Sequence, residues 1–122
     1  MADSLKQGYR KLIVYQRMIS LVILVYKLTK PYPKEEKYNI VSQMRRAVVS
    51  VVSNFVEGYL KKSPKEKDQY LERSMTSLHE LDTQSEISFK LKFLTTPKYS
   101  SLVDKINEVA YLLHRYRLKV NA

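Results

Sequence analysis

Residues 42–58 read SQMRRAVVSVVSNFVEG and decide the fold of this chain. Placed on a helix at about 100° per residue, their apolar side chains fall on one arc, and the opposite side is a polar stripe. One face therefore suits a core, and the other is either a partner surface or a plain solvated face. The arc consists of Val41, Met44, Val48, Val51, Val52, Phe55 and Tyr59, and the stripe of Gln43, Arg46, Ser50, Asn54, Glu57 and Lys61.

The composition favours one small helical domain. A chain of 122 residues can hold one hydrophobic core, and its two Gly and four Pro favour a few long elements. Because Cys is absent, disulfides and thiolate sites are excluded, and we expect neither a metal nor a cofactor. The apolar run at residues 18–26 is shorter than a membrane span of about 20 residues. We therefore expect a cytoplasmic protein with no membrane partner.

These patterns predict an all-α fold, an antiparallel up-down-up-down four-helix bundle in a single domain. Pro31 and Pro33 separate the first two helices, and Ser63 with Glu66 forms a capping box for the third. Pro97 is expected to end the third helix. The helices are predicted at about residues 11–30, 35–61, 64–94 and 100–120, after a flexible lead-in at residues 1–8.

The first helix carries apolar residues in two separate seams. A helix that is apolar on both sides must be buried on both sides, and a bundle this small covers only one. We therefore predict a subunit interface on the first helix; the alternative is a central helix in a monomer. One seam holds Leu12, Tyr15, Ile19, Val22 and Tyr26, and the other Val14, Met18, Leu21, Val25 and Leu28.

A net charge of +10 points to an anionic partner, nucleic acid first and a membrane surface second. We predict a basic surface that binds nucleic acid through its phosphates; the alternative is that these charges only keep the protein soluble. Tyr9, Tyr32, Tyr111 and Tyr116 lie among the charges and could stack on bases. The predicted contact residues are Arg10, Lys11 and Arg17 on the first helix, Arg115, Arg117 and Lys119 at the end of the fourth, and Lys27, Lys30 and Lys34 where the first helix ends.

Arg45 projects close to the apolar arc and needs a partner or a route to solvent. We predict a salt bridge with Glu80 or Glu57 that fixes the helix register; a nucleic-acid contact is the alternative. Arg45 is thus assigned first to a structural polar network and only second to a binding or active site. The network comprises Gln43, Arg45, Arg46, Asn54, Glu57, Glu80 and Gln84.

One pair of residues hints at catalysis. Arg73 and His79 have five residues between them, a spacing used by some metal-independent all-α ribonucleases. Six positions apart is a poor same-face spacing on a helix. No phosphate-binding Gly loop, nucleophile elbow or metal-ligand cluster accompanies the pair. We therefore predict no catalytic residues, and a ribonuclease is the third hypothesis after the two binding functions.

Several ordered motifs resemble one family, the four-helix-bundle proteins encoded in intervening sequences of bacterial 23S rRNA genes. The resemblance spans residues 9 to about 120. It implies a homopentameric ring that binds nucleic acid, RNA rather than DNA. The family is similar in fold to accessory proteins of diversity-generating retroelements, which implies the alternative function, an accessory subunit that binds a reverse transcriptase and its RNA. The motifs are LIVYQ at 12–16, YKLTK at 26–30, PKEE at 33–36, SQMRRA at 42–47, SNFVEG at 53–58 and SLHELDTQ at 77–84.

The chain departs from that family at a few positions. Trp is usual at Tyr15, Pro at Val52, and Leu at Ser85. Gly is usual where Thr76 and Lys92 stand. These departures bear on packing in the second and third helices and leave the expected fold unchanged.

Overall fold

The computed structural model describes residues 8–122, and in this part the chain is helical with no strand. The predicted all-α class is confirmed. The lead-in predicted at residues 1–8 lies, apart from Gly8, outside the described residues. Four long helices follow a short helical stretch at residues 8–10: α1 Ile13–Thr29, α2 Ile40–Leu60, α3 Pro64–Lys90 and α4 Thr96–Val120, with a 3₁₀ turn at Lys34–Glu36 before α2.

Contacts join the end of each helix to the beginning of the next. Arg45 reaches Thr29, and the Lys67 ammonium donates to the carbonyl oxygen of Tyr59 at 2.7 Å. The rings of Phe89 and Tyr99 stack with their centroids 4.4 Å apart. Helix α4 also packs along α1, and none of the helices in residues 8–122 is long and apolar enough to cross a membrane.

One core runs through the bundle. On α1 the inner seam is buried, with Met18, Leu21 and Val25 fully inaccessible to solvent. The outer seam is partly covered, because Leu12, Tyr15 and Val22 are half-buried and pack against the core, whereas Tyr26 is 41% exposed. Ile23, beside the outer seam, is 64% exposed. The other helices contribute Val41, Met44, Val48, Val51, Phe55, Leu71, Leu78, Leu81, Leu102, Ile106, Val109 and Leu113.

Helices α2 and α3 approach each other closely because small residues line their interface. The hydroxyl of Ser74 donates to the carbonyl oxygen of Val51 at 2.6 Å. The hydroxyls of Ser50 and Ser77 lie 2.9 Å apart. Gly58 is buried here, and a Cβ on it would lie 3.1 Å from the carbonyl oxygen of Lys67. A larger residue at 58 would therefore push the helices apart.

The second helix begins later than predicted. Residues 34–36 form a 3₁₀ turn, closed by a bond from the Glu36 amide to the Pro33 carbonyl oxygen. Asn39 then has φ −115° and ψ −112°, outside the helical region, so the regular hydrogen-bond ladder starts only at Ile40. Glu35 and Glu36 therefore belong to the link between α1 and α2.

The third helix ends earlier than predicted, at Lys90, and the fourth begins earlier. Lys92 has φ +65°, and its amide donates to the Phe89 carbonyl oxygen while the Phe93 amide reaches that of Ser88. This Schellman motif stops α3. Helix α4 starts at Thr96, since Pro97 lies in its first turn, where no amide hydrogen is needed.

Candidate nucleic-acid interface

Eight of the nine predicted cations lie at the two ends of the bundle, and Arg17 lies on α1 between them. At one end, the Tyr9 ring packs against that of Tyr59, with centroids 5.8 Å apart, and the ring of Tyr116 packs against that of Phe55 at 5.3 Å. This end comprises residues 8–12, 57–73 and 114–121, and we call it the basic end. Arg10, Lys11, Arg115, Arg117 and Lys119 belong to it.

The other three predicted cations belong to the opposite end, which comprises the α1–α2 and α3–α4 links, residues 27–39 and 89–99. Lys27, Lys30 and Lys34 are exposed there. The structure therefore does not bring all nine predicted residues onto one surface.

The basic end carries ten Lys and Arg against four Asp and Glu, and the opposite end carries seven Lys against two Glu. Residues 57–73, around the α2–α3 turn, supply half of the cations at the basic end. Sequence reasoning missed these residues because the turn is distant along the chain from both termini. Lys62 and Lys65 are exposed. The sequence signal for these lysines is the KKSPKEK run at residues 61–67, from which the sequence analysis predicts only a helix start.

Tyrosines accompany these cations. The Tyr70 ring lies between two of them, with the Lys61 ammonium 5.3 Å and the Arg73 guanidinium 4.7 Å from its centroid. On α4, an Arg115 N–H donates to the Tyr111 hydroxyl at 3.0 Å, and that bond raises the pKa of Arg115. Cations beside partly exposed rings can contact both the phosphates and the bases of a single strand.

Two of the predicted cations have acidic partners. Arg17 lies 3.3 Å from Glu108 on α4. Arg117 forms a two-pronged contact with Asp68, to which the Asn121 amide also donates at 2.9 Å. The Asn121 bond first, and then Arg117, lower the pKa of Asp68. Arg17 and Arg117 thus bring less free charge than the other predicted cations.

The predicted polar network is only partly assembled. The guanidinium of Arg45 donates to the Thr29 hydroxyl at 3.1 Å and to the Tyr26 carbonyl oxygen at 3.4 Å, and it stacks on the Tyr26 ring. In the described part of the chain its salt bridge with Glu80 or Glu57 is absent, because Arg45 turns toward the carboxyl end of α1. Glu57 lies near Lys61 instead, at 3.9 Å.

The other network residues lie along the α2–α3 interface. A cleft of about 390 Å³ is lined by Gln43, Arg46, Glu80 and Gln84, together with the paired hydroxyls of Ser50 and Ser77. The side-chain amide of Asn54 donates to Ser50. Within residues 8–122 the buried Oε1 of Gln84 has no hydrogen-bond partner.

The weak catalytic pair is not brought together. Arg73 packs on Tyr70, while His79 is exposed beside a shallow depression that Thr76 and Thr83 also line. Among residues 8–122, no group of three or more His, Cys, Asp or Glu side chains could hold a metal ion.

The geometry defines a class of protein, an all-α protein with four long helices, one core and an excess of Lys and Arg at both ends. Comparison with known proteins gives the family. The model of the 23S rRNA-intervening sequence protein family matches residues 10–115, and the chain belongs to this family. No curated protein matches it.

One similar solved structure is a protein of unknown function from the S23 ribosomal protein family of Bacteroides thetaiotaomicron. It is 17% identical to this chain. The match covers 86% of this chain and 98% of the other protein, with a TM-score of 0.77. At this identity the likeness shows the shared fold.

Proposed function

We propose that this protein is a non-enzymatic nucleic-acid-binding protein that contacts RNA through its basic end. The supporting observation is the meeting of three separate cationic segments there, from the start of the described chain, the α2–α3 turn and the end of α4. Most of the charge in these segments stays exposed. Lys62 and Lys65 are exposed. The family name, which refers to a 23S rRNA intervening sequence, supports RNA over DNA.

Affinity would come mainly from phosphate contacts. Each Lys or Arg that contacts a phosphate releases a condensed counterion, so affinity falls steeply with salt and depends little on sequence. Tyr70 and Tyr111, each close to a cation, would add stacking on unpaired bases. Binding would therefore favour single-stranded RNA.

We further propose that the molecule is an antiparallel up-down-up-down bundle that assembles into a homo-oligomer, a pentameric ring as the resemblance implies. The contacts between successive helices support the topology. The exposed Ile23 on α1, 64% accessible to solvent, supports the assembly. A ring would bring several basic ends together and raise the local charge.

The test is the binding of a fluorescent single-stranded RNA, followed by anisotropy as salt is raised from about 50 to 200 mM. A protein that contacts several phosphates loses about a hundredfold or more in affinity over this range. Affinity that does not change with salt would contradict the proposal. An RNA-cleavage assay run alongside, with His79→Ala as control, would contradict the non-enzymatic part if cleavage occurs and depends on His79.

One groove favours a second candidate function, the accessory subunit of a reverse transcriptase. A cavity of about 630 Å³ between α1 and α4 is lined by apolar side chains, and Ile13, Tyr111 and Leu118 are each about half exposed there. An apolar groove next to cations suits a protein partner that also holds RNA. Copurification with a reverse transcriptase that survives nuclease treatment would favour this function over direct RNA binding.

A further inference from the structure

A second cationic site lies away from the basic end, in a groove of about 610 Å³ between the end of α1 and the first half of α2. Its lining includes three cations, Lys37, Arg45 and Arg46, and no carboxylate. Among residues 8–122, no ion pair involves any of the three. Their charge is therefore available to an anion.

Arg45 is held in a fixed position in this groove. Its Nε–H donates to the Thr29 hydroxyl, which in turn donates to the Val25 carbonyl oxygen at 2.7 Å. Its guanidinium lies 4.5 Å from the centroid of the Tyr26 ring. These contacts use part of its donors, and within residues 8–122 its other N–H groups form no hydrogen bond. An arginine fixed in this way loses little conformational entropy when it binds a ligand.

Tyrosine rings stand on the same side of the bundle. Tyr38, in the turn before α2, is 83% exposed, and the Lys37 ammonium lies 5.4 Å from its centroid. Nothing in the core requires an aromatic residue at that position. A flat ring that is almost fully exposed beside three cations suits a ligand with both an aromatic ring and an anionic group.

We propose that this groove binds one nucleotide unit, its phosphate held by Arg45 and Arg46 and its base stacked on Tyr38. The volume lies within the range of about 300–1,000 Å³ that small-molecule sites occupy. Ser42 and Ser53 also line the groove and add polar groups to it. This inference rests on the proposed RNA function, because the unit would belong to a strand that the basic end also holds.

The experiment follows backbone amide signals by NMR while uridine 5′-monophosphate, uridine or inorganic phosphate is added to the full chain. The proposal expects the monophosphate to shift the signals of Ser42, Ser50 and Ser53 in a saturable way, and the other two probes to bind much more weakly. Equal shifts with phosphate alone would overturn it, as would the absence of shifts in the groove. Shifts of these amides with protein concentration alone would show a subunit interface instead and would also overturn it.

Variants separate stacking from folding. Tyr38→Ala should weaken binding of the monophosphate about tenfold, and Tyr38→Phe should keep it, because stacking needs the ring and not the hydroxyl. The matched control is Leu91→Ala, which removes another exposed side chain, 54% exposed and outside this groove. Equal weakening by Tyr38→Ala and Leu91→Ala would contradict the proposal.

Failure of this inference is distinguishable from failure of the proposed function. If the monophosphate leaves the groove unshifted while RNA binding remains salt-dependent, only the nucleotide site is wrong. If RNA binding is absent as well, the proposed function is wrong.

Discussion

The two ends of the bundle use tyrosine differently. At the opposite end, Tyr32 is 6% exposed, packs on Phe93 with centroids 5.2 Å apart, and directs its hydroxyl toward the sulfur of Met44. At the basic end, Tyr70 is only half-buried and lies between Lys61 and Arg73. One ring helps to close the core, and the other sits in a cationic surface.

This contrast separates stability from binding. The links at the opposite end reverse the chain over a closed core, and they contain the buried ring of Tyr32 and a backbone cap at Lys92. The α2–α3 turn at the basic end is short and is capped by Ser63, which accepts a bond from the Glu66 amide. Lys62 and Lys65 beside this turn remain in solvent. We therefore expect the opposite end to tolerate fewer substitutions than the basic end.

The largest expected effect comes from Tyr32→Ala. Removing a buried ring leaves a cavity and should lower the free energy of unfolding by about 3–5 kcal/mol. The matched change Tyr70→Ala should cost about 1 kcal/mol or less, because that ring is partly solvated. Urea denaturation followed by circular dichroism measures both. Equal losses of unfolding free energy in Tyr32→Ala and Tyr70→Ala would contradict the proposed difference between the two ends.

A smaller effect, of opposite sign, is expected from Lys92→Gly. A residue with a Cβ in the left-handed conformation costs about 1–2 kcal/mol, and Gly does not carry this cost. Because Gly also gains entropy in the unfolded chain, the net stabilisation should be about 0.5–1 kcal/mol. The control Lys90→Gly, two residues earlier within α3, should instead destabilise by about 1 kcal/mol. Thermal denaturation measures the melting temperature of each variant. A change of the same sign in both variants would contradict this account.

The sequence could predict the long helices and most of the core, because the seam of Val14, Met18 and Leu21 follows a simple period. It could not predict that Lys92 ends α3, since a left-handed lysine has no local signature. Nor could it predict where Arg45 points, because its partners Thr29 and Tyr26 lie on another helix. The family resemblance did mark Lys92 as a position where Gly is usual, and the backbone at that residue gives the physical reason.

The basic end was predicted least completely. The spacing identified Arg10, Lys11, Arg115, Arg117 and Lys119 as cations near helix ends. It did not bring Lys62 and Lys65 to them, because that step requires the pairing of helix ends in three dimensions. Local pattern identifies the faces of single helices, whereas a surface built from three segments emerges only when they pack.

The smallest expected effect on stability is that of Asp68→Asn. The pKa of Asp68 is lowered in the folded state by Asn121 and Arg117, so its contribution is present above the ordinary value near 3.8 and is lost as the pH falls through the folded pKa. Because the pair is partly exposed, the loss at neutral pH should stay below about 1 kcal/mol. Unfolding measured from pH 7 to pH 2 should show a shallower acid loss in the variant. An unchanged acid slope would contradict this role of Asp68.

The central claim is that the basic end binds RNA, and a pair of charge reversals tests it directly. Lys62→Glu/Lys65→Glu alters the basic end, and Lys90→Glu/Lys98→Glu makes the same change in net charge at the opposite end, with all four residues exposed. We predict that the first variant binds single-stranded RNA at least about tenfold more weakly than the second at the same salt concentration, because phosphate contacts act locally. Equal affinities of the two variants would contradict the account.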